Sequence, residues 1–84
     1  MKQITLDGNV LSDATAVHDY LMKMLKFPEH YGKNSDALYD CLTDLDDIEI
    51  FITQPEEDGA IFQKVLRIFK AAGRANESLK INML

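Results

Sequence analysis

The chain has 84 residues, of which 46% are hydrophobic and 27% charged, and its formal net charge is −5. A chain of this length has room for one core and not two, so we predict a single domain over residues 1–84. The negative charge argues against binding to nucleic acid or anionic membranes, because both need a basic surface on the protein.

The single cysteine, Cys41, cannot form an internal disulfide, which is typical of proteins in a reducing cytosol. The N-terminal residues lack the apolar segment of a signal peptide. No run of the sequence approaches the roughly 18 apolar residues needed to cross a membrane. We therefore expect a cytoplasmic protein, monomeric in its free state.

In the first third of the chain, Gln3–Leu6 is predicted to be a strand and the following Asp-Gly pair a turn. Residues 12–15, Ser-Asp-Ala-Thr, offer helix-capping side chains. An apolar series with helical spacing comes next, at Val17, Tyr20, Leu21, Met24 and Leu25. Pro28 is expected to end this helix, because the residue before a proline avoids the α region.

A second helix is predicted from about Ser35, after a loop that begins at Pro28. Asn34 is a favourable N-cap for it. One side of the helix is apolar, with Leu38, Cys41, Leu42 and Leu45, and the other carries Asp36, Asp40, Asp44 and Asp47. Like charges four residues apart cost about 0.2–0.5 kcal/mol per pair, which a small, marginally stable domain should avoid.

The last third of the chain begins with Ile48–Ile52, a β-branched run typical of a strand. Asp58 is a possible cap for a third helix, which Gly73 is expected to end. Its apolar positions are Ile61, Phe62, Val65, Leu66, Phe69 and Ala72. A final strand is indicated by alternating Leu79, Ile81 and Met83. Strands separated by helices predict an α/β fold: a small three-stranded parallel sheet packed with about three helices in two layers.

The charges are segregated along the chain. Residues 34–63 contain nine acidic residues and no lysine or arginine, whereas the remainder has a net charge of +4. An acidic middle segment suits a basic protein partner, because opposite potentials attract and orient two proteins.

The segment Phe27–Thr43, FPEHYGKNSDALYDCLT, resembles the characteristic segment of the barstar family, intracellular inhibitors of barnase-type ribonucleases. The stretch VLRIFKAAG in the third predicted helix adds weaker support. The resemblance extends over nearly the whole chain. It implies a barstar-like domain, a ribonuclease-inhibiting function without enzymatic activity or cofactor, and a basic ribonuclease as partner.

The resemblance also implies a binding surface made of the loop and the second helix. Asp40 matches the family's central acid, which enters the nuclease active site at the position of the RNA phosphate, and Asp36 matches a second acid. Tyr39 stands where the family often has tryptophan, and His30 where its best-known member has tyrosine. The remaining expected contact or support residues are Tyr31, Gly32, Asn34, Ala37, Thr43 and Asp44.

Three departures concern the edge of this surface. Asp44-Leu45 replaces the usual Gly-Trp, the segment between Ile52 and Ile61 is shorter, and Ala71 stands at the position of a peripheral glutamate. These changes leave open a barstar-like module whose basic partner is not a ribonuclease. A small enzyme or metal protein is disfavoured, because no nucleophile lies at an informative spacing from His18 or His30, and the DLDDIEI run lacks the glycine of a calcium loop.

Overall fold

The structure, a computed structural model, describes all residues from Met1 to Leu84. Its elements are β1 (Lys2–Leu6), α1 (Gly8–Leu11), α2 (Val17–Leu25), α3 (Ser35–Thr43), β2 (Ile48–Ile52), α4 (Ala60–Ala75) and β3 (Leu79–Met83). The three strands form one parallel sheet in the order β1-β2-β3. The predicted barstar-like α/β class with a three-stranded parallel sheet is therefore confirmed.

Central strand β2 fixes which face of the sheet is buried. Ile48, Ile50 and Ile52 are all at most 4% exposed, whereas Glu49 and Phe51 between them are half-buried. On the second face, Glu49 accepts hydrogen bonds from the side-chain amides of Gln3 and Asn82. Successive side chains of β2 therefore point to opposite faces of the sheet: the isoleucines face the helices, and Glu49 with its amide partners lies on the other face.

Helix α1 is the element that the sequence did not predict. Asp7 is its N-cap and accepts a hydrogen bond from the Asn9 backbone N–H. The chain thus forms one turn of helix where a reverse turn was expected. Gly8 is buried there, and its N–H donates to Thr53 Oγ1 at 2.9 Å. A Cβ atom on Gly8 would lie 2.1 Å from the Thr53 carbonyl oxygen, so close approach of two backbones requires glycine.

The ends of α2 differ from the prediction. Ala16 precedes the helix without a side-chain cap, while Asp13 closes a separate turn by accepting hydrogen bonds from Thr15. The helix stops at Leu25, before Pro28 can act, because Lys26 has a left-handed conformation with φ 56°. Lys26 and Phe27 thus lie between the last residue of the helix and Pro28, which was expected to end it.

Helix α4 is longer than predicted. It continues to Ala75, so Gly73 lies within the helix and the prediction that Gly73 caps it is wrong. Asp58 is not the N-cap; Gly59 is, and the Asp58 carboxylate accepts a hydrogen bond from the Gln63 side chain. Phe62, Val65, Phe69 and Ala72 are buried, but Ile61 in the first turn is 37% exposed and lies outside the core.

The core is one cluster of 17 buried apolar residues drawn from both strands and helices. It includes Leu38 and Leu42 of α3, which have no exposed surface. None of the helices has the length and apolarity that would let it cross a membrane.

Candidate protein-binding site

Helix α3 is fixed at its start by the predicted cap. Asn34 Oδ1 accepts a hydrogen bond from the Ala37 backbone at 2.8 Å, and the helix begins at Ser35. This bond satisfies one of the donors that a helix start leaves unpaired. With Leu38 and Leu42 buried beneath it, α3 presents its other side to solvent as a stiff surface.

Three carboxylates lie along that exposed side: Asp36, Asp40 and Asp44. We call them the acidic ridge. None has a cationic group within 4.0 Å, since the two ion pairs of the structure lie elsewhere. The expectation that Asp47 continues the ridge is wrong, because α3 ends at Thr43. Asp47 has a left-handed backbone and its carboxylate lies 3.9 Å from the N-terminal amine.

The helix dipole makes the charge of Asp36 favourable and that of Asp44 unfavourable for the stability of α3. Asp36 is in the first turn of α3, where a negative charge stabilises the helix, whereas Asp44 is the C-cap, where it is unfavourable. The last turn contains no basic residue that could compensate. Neither an ion pair within 4.0 Å nor a basic residue in the last turn therefore offsets the charge of Asp44 at the end of the helix.

A cleft of about 360 Å³ runs between α3 and the loop that precedes it. Its polar wall includes Asp40 and Asp44 on one side and His30 on the other. Apolar groups, among them Phe27 and Leu45, line the remainder. Burial, together with the neighbouring Asp44 and Asp40, raises the pKa of the Cys41 thiol, so this lining residue stays protonated at neutral pH.

The predicted site residues fall into two groups. Those that line the cleft are His30, Tyr31, Gly32, Ala37, Asp40 and Asp44. Those outside it are Asn34, Asp36, Tyr39 and Thr43. Tyr39 is 37% exposed beside the ridge, and the half-buried Thr43 donates to the Asp40 carbonyl.

Tyr31 is buried, with 6% of its surface exposed, and supports the loop from inside. Its ring packs against Phe27 at a centroid distance of 4.9 Å, and its hydroxyl lies 2.6 Å from His18 Nδ1. Desolvation raises the pKa of Tyr31 to about 12, so the hydroxyl is protonated and available as a donor. His18 of α2 is half-buried and holds this hydroxyl.

We predict that stability falls as the pH drops below about 6.5, the ordinary pKa of histidine. Burial lowers the pKa of His18 in the folded protein, so the unfolded chain takes up a proton first and is favoured as the pH falls. Urea unfolding between pH 8 and pH 5.5 measures the decline. The decline should be smaller in His18→Gln and persist in His30→Gln; an equal decline in all three proteins would contradict the assignment to His18.

Asn76, at the end of α4, supports the other end of α3. Its side-chain Nδ2 donates to the carbonyl oxygens of Leu45 at 2.7 Å and Leu42 at 3.2 Å, and its Oδ1 accepts from the Ser78 backbone. These bonds satisfy carbonyls at the end of α3, where no basic side chain is present. The sequence gives no signal for this contact, because more than 30 residues separate the partners.

The fold and this surface define a class: small parallel α/β proteins that display carboxylates on a helix anchored in the core. A family model described as "Barstar (barnase inhibitor)" matches residues 1–83. The chain therefore belongs to the barstar family, as the resemblance of Phe27–Thr43 indicated.

One relative shares a shorter region. A stretch of 43 residues is 46% identical to the "Putative ribonuclease inhibitor YrdF" of Bacillus subtilis (strain 168). The aligned region covers 51% of this chain and 47% of that protein, so the chain spans about half the length of the curated relative that it matches.

Proposed function

We propose that this protein is an intracellular inhibitor of a secreted barnase-type ribonuclease, and that Asp40 occupies the position of an RNA phosphate in the nuclease active site. The observation that carries the proposal is the acidic ridge: three exposed carboxylates on one helix, without cationic partners, beside an open cleft. Family membership and the relative's name support the inhibitory role.

The chemistry of phosphate recognition explains why an aspartate such as Asp40 can occupy the position of an RNA phosphate. A ribonuclease must hold a phosphodiester and so presents cationic side chains in a concave site. A carboxylate resembles phosphate oxygens and accepts two parallel hydrogen bonds from one guanidinium. Because α3 is anchored by Leu38 and Leu42, Asp40 reaches such a site with little ordering of its backbone on binding.

The charge distribution suits rapid capture of a toxic enzyme. Five of the nine acidic residues of residues 34–63 lie on α3 or directly after it and form a local negative field there: Asp36, Asp40, Asp44, Asp46 and Asp47. Complementary fields can raise association rate constants to about 10⁸–10⁹ M⁻¹s⁻¹ at low salt. An inhibitor that protects host RNA benefits from this speed.

A titration of a barnase-type ribonuclease with the protein tests the proposal. RNA cleavage should fall in proportion to added inhibitor and stop at one equivalent, and the rate of complex formation should drop as salt is raised. Full nuclease activity at micromolar concentrations of folded protein would overturn the proposal.

A basic partner that is not a ribonuclease is the second candidate. The observation that favours it is the composition of the cleft wall, where Asp44 and Leu45 replace the glycine and tryptophan of the family pattern. An extra carboxylate beside Asp40 fits a partner with one more cation at that position. Asp44→Gly improving inhibition of a barnase-type nuclease would favour this second candidate, whereas weakened inhibition would favour the first.

The free protein should become more stable when the ridge is neutralised at its C-terminal end. In Asp44→Asn, the like-charge pair with Asp40 and the unfavourable position at the helix end both disappear, for a gain of about 0.5 kcal/mol. Asp36→Asn should give a small loss, because Asp36 is in the favourable first turn. Urea melts at low salt measure both effects; destabilisation by Asp44→Asn would contradict this account of the ridge.

A further inference from the structure

Two adjacent residues of α2 contact the loop of residues 28–34, which carries four of the ten predicted site residues and which we call the binding loop. His18 Nδ1 lies 2.6 Å from the Tyr31 hydroxyl, and the Asp19 carboxylate lies 2.7 Å from Lys33 Nζ. Helix α2 itself contributes no residue to the acidic ridge. Its two contacts instead fall on residues 31 and 33, on either side of Gly32 in the cleft wall.

Contacts from α2 can stabilise the loop, because one of its residues has a backbone conformation that is unfavourable for a side chain. Lys33 has φ 55°, a left-handed conformation that is uncommon for residues other than glycine. Lys33 immediately precedes Asn34, the N-cap of α3. A change in the conformation of Lys33 would therefore move the cap and the first turn of the helix that presents Asp36 and Asp40.

We propose that His18 and Asp19 are positioning residues that hold the binding loop in its partner-ready conformation through Tyr31 and Lys33. This inference rests on the proposed function for its effect on binding, but not for its effect on the loop. The hydrogen bond with His18 holds the buried side of the loop and the ion pair with Asp19 holds its exposed side. Because the ion pair is exposed, its share is the smaller of the two.

Hydrogen exchange of the Tyr31 backbone amide, which donates to the Pro28 carbonyl oxygen at 2.9 Å, tests the proposal in the free protein. Asp19→Asn and Lys33→Met should each raise exchange about two- to five-fold at low salt, and the double variant should add little to either change. His18→Phe, which keeps an aromatic ring beside Tyr31 but removes the hydrogen bond, should raise exchange about ten-fold. Lys33→Arg should behave like the parent protein.

Binding kinetics with a barnase-type ribonuclease separate positioning from simple charge attraction. Asp19→Asn removes a negative charge and Lys33→Met a positive one, so attraction alone would shift the association rate in opposite directions. Positioning instead predicts that both variants dissociate faster, by about two- to five-fold. Lys23→Met, on the exposed side of α2 without an ion pair, is the charge-matched control and should leave loop exchange and dissociation unchanged.

The outcomes distinguish this inference from the proposed function. If the parent protein does not bind the nuclease, the proposed function fails, and the exchange measurements still decide the role of His18 and Asp19. If the parent protein binds and the Asp19 and His18 variants leave both loop exchange and dissociation unchanged, the positioning role is overturned.

Discussion

Asp40→Ala should weaken binding to the nuclease by about 2–5 kcal/mol, which corresponds to roughly 30- to 5,000-fold in Kd. Charge pairs of the barnase–barstar complex, from this family, are among the cases behind that range, so the magnitude is not independent of the family. The physical reason is that truncation leaves the partner's desolvated cations without a counter-charge. Most of the loss should appear as faster dissociation, because the remaining acidic residues still attract the partner.

Asp46→Ala provides the matched control for this measurement. Asp46 is exposed, has no ion pair and follows α3 outside the acidic ridge, so its removal changes the net charge by the same amount. We expect a less than three-fold change in Kd, confined to association and diminished by salt. Stopped-flow association and displacement kinetics give the two rate constants. Equal effects of the two substitutions would mean that Asp40 acts only through long-range attraction.

The parts of the fold predicted from sequence are those encoded locally. Ile48–Ile52 is a strand because its residues are β-branched and apolar, and its predicted bounds agree with the structure. Asn34 caps α3 because its own side chain reaches an amide three residues away. The exposed positions of Asp36, Asp40 and Asp44 follow from the helical period and the burial of Leu38 and Leu42 on the opposite side.

The parts that were missed depend on contacts between distant residues. Gly73 lies inside α4 because the helix continues to Ala75, and the side chain of its C-cap, Asn76, bonds the end of α3. A glycine C-cap is only a local preference, and tertiary contacts override it. His18 likewise acquires its role only when α2 packs beside Tyr31, 13 residues later in the chain. Local patterns thus predicted the acidic ridge and its cap, but not the contact of His18 with Tyr31 or that of Asn76 with the end of α3.

Leu42→Ala should strongly destabilise the fold, because Leu42 has no exposed surface and anchors α3 directly beneath the acidic ridge. Removing a buried leucine side chain leaves a cavity and costs about 2–5 kcal/mol. A domain of this size has only about 5–15 kcal/mol of total stability, so the variant should lose a large part of it. Urea unfolding measures the loss, and Leu66→Ala on the half-buried side of α4 is the control, with a smaller expected effect.

The same substitution tests whether the core supplies the rigidity that binding requires. With α3 less firmly anchored, part of the binding free energy must order the helix before Asp40 can engage the partner. We therefore expect Leu42→Ala to weaken binding under conditions where the variant is still fully folded, although Leu42 cannot itself touch a partner. Leu66→Ala should leave the affinity unchanged at equal folded fraction. If Leu42→Ala lost less than about 1 kcal/mol of stability and kept full affinity, α3 would not depend on this anchor, and preorganisation of the acidic ridge by the core would have to be abandoned.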